Sequence, residues 1–184
     1  MPRRKSISDG EILDLALPLM ASAGPGGFTL ADLARAVGVA PATLLQRFGS
    51  KQALIEQAFA RDNERFVVWV EALPTGVGAE VVIAIYADAT ALFGDNPSLA
   101  DHLLWLREDM RDPVLNRLSL QRFALFRAAI VQRLPPMRVP AETAARLLDA
   151  QFHGAVVQWG LEPHGRLADF VAQSLQDWFR LAGA

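Results

Sequence analysis

The sequence predicts an all-α fold of nine helices in two domains, an N-terminal three-helix head with a helix–turn–helix and a C-terminal helical body. Three observations carry this. No segment alternates with period two for long enough to read as a strand. Apolar residues recur instead at three- and four-residue spacings, between stops made by Gly and Pro. And the twenty residues Thr29 to Phe48 divide into two short helices about a glycine. The expected divisions are residues 1–7 as a basic arm, 8–52 as the head and 53–184 as the body.

The arm holds Arg3, Arg4 and Lys5. It reads equally as a solubilising tail and as a segment that follows a nucleic-acid backbone or minor groove. Ser8 and Glu11 have the spacing of a capping box. Ile12, Ala16, Leu19, Met20 and Ala23 then form the apolar face of the first helix. Pro18 lies inside it and is expected to kink or loosen its last turn, and Gly24 to Gly27 is expected to be a loop. Thr29 stands where it can cap the second helix. Leu30, Leu33, Ala34 and Val37 form one face of that helix, and Gly38 suits its left-handed end. Pro41 suits the first turn of the third helix. Leu44 and Phe48, four apart, can pack inward, which leaves Pro41, Ala42, Thr43, Gln46 and Arg47 facing out. Such short exposed helices enter the DNA major groove in helix–turn–helix units. Ser50 can cap the fourth helix, whose first residue is Lys51. A cation there opposes the helix dipole unless an anion, such as a DNA phosphate, binds at that terminus.

The string Thr29, Leu33, Ala34, Gly38, Val39, Thr43, Leu44, Phe48, Ser50, Lys51 and Leu54 resembles the DNA-binding domain of the TetR/AcrR transcriptional regulators, over about Ser8 to Phe59. Three positions depart from the family pattern. Leu45 stands where a phosphate-touching Tyr is usual, Ala42 where Gly is usual and Arg47 where His is usual. Arg47 is expected to replace the lost phosphate contact or to read guanine with its planar fork. Ala40 replaces the usual Ser cap, so the third helix should start less firmly.

The remaining helices are expected at Lys51 to Glu71, Ala79 to Phe93, Asn96 to Met110, Asp112 to Leu134, Ala141 to Trp159 and Leu167 to Leu181. The fifth is apolar almost all round, as a buried helix is. The last two carry more apolar surface than one subunit needs. The resemblance implies that they form a homodimer through a four-helix bundle, with Ala144, Leu148, Gln151, Phe152, Ala155 and Trp159 on one helix and Val171, Ser174, Leu175 and Trp178 on the other. It also implies a cavity for a small, largely apolar effector. Trp69, Phe93, Trp105, Met110, Phe123, Phe126 and Phe152 would line it, with His102, Gln121 and His153 as polar anchors. Aromatic residues at helical spacing also fit an ordinary core.

Net charge is −2 over 184 residues. Its distribution says more, since residues 1–52 hold six basic residues against four acidic ones. Cysteine is absent, which excludes disulfides and thiolate metal sites. The three histidines have no metal-ligand spacing, and Asp149 with His153 one turn on is common on solvated helices. No nucleophile elbow, phosphate loop or dinucleotide fingerprint appears. Asp9, Glu11 and Asp14 interrupt the apolar run that could imitate a signal peptide, and glycine and proline break the longest uncharged stretch. The expectation is a cytoplasmic, non-enzymatic regulator of double-stranded DNA with no cofactor and no membrane partner.

Overall fold

The computed structural model describes residues 7–93 and 96–183; Arg3, Arg4 and Lys5 lie outside the described residues. Among the described residues the chain forms nine α-helices and one short 3-10 turn, with no strand. The helices are α1 (Asp9–Gly27), α2 (Leu30–Val37), α3 (Pro41–Phe48), α4 (Lys51–Glu71), α5 (Ala79–Ala89), α6 (Asn96–Arg111), α7 (Pro113–Val131), α8 (Ala141–Leu161) and α9 (Leu167–Ala182). No described helix is long and apolar enough to cross a membrane. The all-α architecture and the starts of the helices match the sequence expectation, but α5 ends at Ala89 rather than Phe93, α7 at Val131 rather than Leu134, and α1 runs through the expected Gly24 to Gly27 loop. One difference concerns Pro18. The dihedrals of α1 remain helical there, and the break comes at Gly24, with φ 64° and ψ 174°. Glycine reaches that conformation without strain, so the chain turns where the residue permits it.

The helices fall into two compact units, residues 1–66 with 101–120 and residues 67–100 with 121–184. The first unit is larger than the expected head, because it includes the corner between α6 and α7. Trp105 is buried there and its indole N–H donates to the Met20 carbonyl at 2.7 Å. Leu115 joins Ile12, Ala16, Met20, Phe28, Leu33, Ala34, Leu44, Phe48, Leu54 and Ala58 in one core. Asp112 caps α7 by accepting from the Val114 and Leu115 amides, and its other oxygen accepts from Gln52 of α4 at 2.6 Å. The capping box at Ser8 and Glu11 forms as expected. Asp14 of α1 is clamped by Arg61 and Arg65 of α4. Arg61's hydrogen bond is the main reason the Asp14 carboxyl sits below the usual carboxylate range.

In the second unit α9 packs against α5 and α8. The expected dimer stripes are corrected here. Ala144, Leu148, Phe152, Ala155, Trp159, Val171 and Leu175 are buried within one chain. A side chain already covered by its own subunit has almost no surface to give a partner. Gln151 and Ser174 are half-buried and bonded to each other across α8 and α9 at 2.7 Å. Trp178 stays partly open. The end of α7 is tied to the chain leaving α4. The buried Arg133 guanidinium donates to the Ala129, Leu73 and Pro74 carbonyls, and its own carbonyl accepts from Gly78. The carbonyls left over at helix ends welcome a cation.

Replacing Asp14 by Asn should lower stability at pH 7 by about 1 kcal/mol. Because the native carboxyl is depressed, its contribution is complete above about pH 4, the unfolded value, and disappears as pH falls through the lower native value. Thermal melts at pH 7 and pH 3 check this: the wild type should lose more of its advantage over the variant at the lower pH.

Candidate nucleic-acid interface

An eight-residue helix does not hold itself in water. α3 is held by burial of Leu44 and Phe48 against Leu33, Ala34 and Phe28. Gly38 makes the turn that allows it, with φ 76° and ψ 33°. Its amide and that of Val39 both donate to the Ala34 carbonyl, at 2.9 and 3.0 Å. α3 then opens with Pro41 in its first turn and with no side-chain bond from Ala40. This is the weak start that replacement of a Ser cap implies.

Burying one stripe of α3 turns the other outward. Pro41, Ala42, Leu45 and Gln46 are exposed, and Thr43 is half-buried beside them. Leu45 is 46% exposed, the largest apolar side chain on that face, beside Pro41 and Ala42. It suits contact with a thymine methyl, while Gln46 has the amide geometry that pairs with adenine.

Three residues expected to touch DNA are already engaged. The Thr29 hydroxyl accepts from the Asp32 amide at 3.1 Å and donates to the Asp32 carboxylate at 2.5 Å, capping α2. That bond, followed by the Arg35 pair, holds the Asp32 carboxyl below its usual range. Arg47 is not turned out with Gln46. Its Nε donates to Asp9 at 2.5 Å and its Nη1 donates to the Ile7 carbonyl at 2.9 Å. The expectation of an outward fork is corrected: Asp9 of α1 and Ile7, two residues before it, occupy those N–H groups. Lys51 is half-buried, with its ammonium 5.5 Å from the centre of the Phe28 ring. It borders an open cleft of about 300 Å³ with Gln52, Ile55, Trp105, Glu108, Asp112 and Leu115. Below it Ser50 caps α4, accepting from the Ala53 amide at 3.0 Å.

The residues expected to hold an effector separate into two groups. Trp105 belongs to the core of the first unit, where His102 and Met110 are exposed. The second unit gathers the others into an aromatic cluster. Trp69 stacks on Phe126 at 5.8 Å, Phe93 meets Phe152 at 5.7 Å and Phe123 meets His153 at 5.4 Å. Gln121 lies outside this cluster, exposed. Two members, Tyr86 and Asp149, were not among the residues expected there. Tyr86 is fully buried between Phe126 and Phe152, and its hydroxyl donates to the buried Asp149 carboxylate at 2.6 Å. Arg127 donates to the other Asp149 oxygen at 2.9 Å. Burial first, and then the Asp149 charge, hold the Tyr86 phenol far above its ordinary range. Asp149 is therefore buried and His153 half-buried rather than both solvated, the imidazole Nδ1 lying 2.7 Å from the Asp149 backbone carbonyl. Periodicity could have marked Asp149 as inward, since it shares a face with Ala145, Phe152 and Val156.

A family model described as bacterial regulatory proteins, tetR family, matches residues 12–58. No curated protein matches the chain by sequence. Among solved structures, the chain is similar to a transcriptional regulator from Rhodococcus sp. Rha1, with 17% identity and a TM-score of 0.76 over 97% of this chain and 99% of that one. It is also similar to a TetR transcriptional regulator from Legionella pneumophila, with 13% identity and a TM-score of 0.73 over 96% and 99%. A third, a putative transcriptional regulator from Saccharomonospora viridis in complex with choline, has 20% identity and a TM-score of 0.72 over 92% and 93%. The glycine-turned α2–α3 unit lies within the segment, residues 12–58, that matches the tetR family of bacterial regulatory proteins, and the chain shares the fold of these solved regulators.

Proposed function

We propose that the protein is a homodimeric repressor that binds a palindromic operator and leaves it when a small effector occupies the body. The exposed face of α3 carries this reading: Pro41, Ala42, Leu45 and Gln46 stand clear of the head while Leu44 and Phe48 are buried. Two such heads about a two-fold axis would read half-sites about one helical turn apart. The surface left for a partner lies outside the buried stripes. It comprises Leu147, Gly154, Val157 and Leu161 on α8, with Trp178 and Leu181 on α9. Gly154 would let a second helix approach closely, since nothing lies within 4 Å of where its Cβ would be.

Effector release would work by population shift through α4, which supplies residues to both compact units. The ligand has to bind the released state better than the DNA-bound state. The aromatic cluster around Tyr86 and Asp149 is the proposed receiving site, and the choline complex of the Saccharomonospora viridis neighbour supports a small-molecule effector. The close ring-on-ring packing of that cluster favours a second reading, a DNA-binding protein that acts by occupancy or through a protein partner.

Selection of retained fragments from random double-stranded DNA should yield a palindrome; loss of all sequence preference would reject the regulator reading. Gln46→Ala should relax the preference at one base pair per half-site by roughly 1–3 kcal/mol, seen as a flattened position in the selected set. Lys51→Ala should weaken binding to every sequence alike and reduce the salt slope by about 0.9 per head. Titrating operator complexes with small aromatic compounds and quaternary ammonium compounds, choline among them, should release DNA for at least one compound that raises the melting temperature of the body. Operator affinity unchanged by every compound that binds supports the second reading.

A further inference from the structure

The Arg47 contacts say more about the reading head than that one base reader is missing. Arg47 lies in the last turn of α3, beside the face proposed to meet DNA. A guanidinium there would bind phosphate on any sequence, because every sequence presents the same backbone. Here its Nε is paired with Asp9 at 2.5 Å and its Nη1 with the Ile7 carbonyl at 2.9 Å, and its side chain is only 26% exposed. Asp9 is the first residue of α1, where a carboxylate is also favoured by the helix dipole. A phosphate would have to outcompete a short charge-assisted bond and a backbone carbonyl together.

We infer that Asp9 is a specificity-determining residue: it pins Arg47 of the recognition helix to α1 and so withholds one cation from sequence-blind phosphate binding. Arg47 is then a positioning residue that fixes α3 against the start of α1, and base choice falls to Gln46, Leu45 and Ala42. The inference rests on the DNA-reading proposal, and the same experiment separates the two.

The salt dependence of binding to the selected fragment and to unrelated duplex should be measured for full-length wild type, Asp9→Asn, Asp9→Glu and Arg47→Met. With Arg47 released, Asp9→Asn should steepen the slope by about 0.9 per head and bind unrelated duplex several-fold more tightly, so that discrimination falls. Asp9→Glu, which keeps the carboxylate, should restore the wild-type slope. Arg47→Met should keep the wild-type slope and base preferences while binding all fragments more weakly. An unchanged slope in Asp9→Asn with wild-type melting temperature overturns the inference and leaves the DNA-reading proposal intact. So does a lower slope or an altered base preference in Arg47→Met. A wild type that selects no sequence overturns both.

Discussion

The head depends on one constraint: α3 is too short to exist unless one of its faces is buried. Eight residues give few internal hydrogen bonds and incur the full cost of nucleation. Burying Leu44 and Phe48 contributes roughly 1.5–3 kcal/mol each. That burial fixes the rotation of the helix about its axis, and the rotation decides which side chains are left for DNA. Gly38 serves the same end. A left-handed residue between Val37 and Val39 lets the chain reverse within three residues and bring α3 back onto α2.

Charge in the head is largely consumed at home. Arg47 faces Asp9, Arg35 faces Asp32, and Arg61 with Arg65 faces Asp14. Of the six basic residues in the first 52 positions, Arg35 and Arg47 are thus paired within the head. What remains on the reading face is an amide, small side chains and an exposed leucine, a surface better suited to base edges than to the backbone.

The second unit is organised by a polar network inside an aromatic cluster. Asp149 is buried, and Tyr86 and Arg127 each serve one of its oxygens. Removing either partner would leave a buried acceptor unserved, which is costlier than the net value of the bond itself. Such a network specifies one arrangement of α5, α7 and α8 and gives the apolar interior a fixed electrostatic feature.

The helices, their caps and the exposed face of α3 were legible in the sequence because each depends on local spacing: Ser8 with Glu11, Thr29 before Leu30, Gly38 after Val37, Leu44 with Phe48. The apolar stripes of α8 and α9 were legible too, but not what they face, since periodicity marks an inward side without naming the neighbour. Arg47 with Asp9, Trp105 with Met20 and Tyr86 with Asp149 join residues 38, 85 and 63 positions apart. The chain by itself determined an all-α fold whose short third helix keeps one face exposed. Tertiary structure alone decided which of its cations, aromatics and apolar stripes remain available, because side chains far apart in sequence compete for the same partners only once the helices are packed.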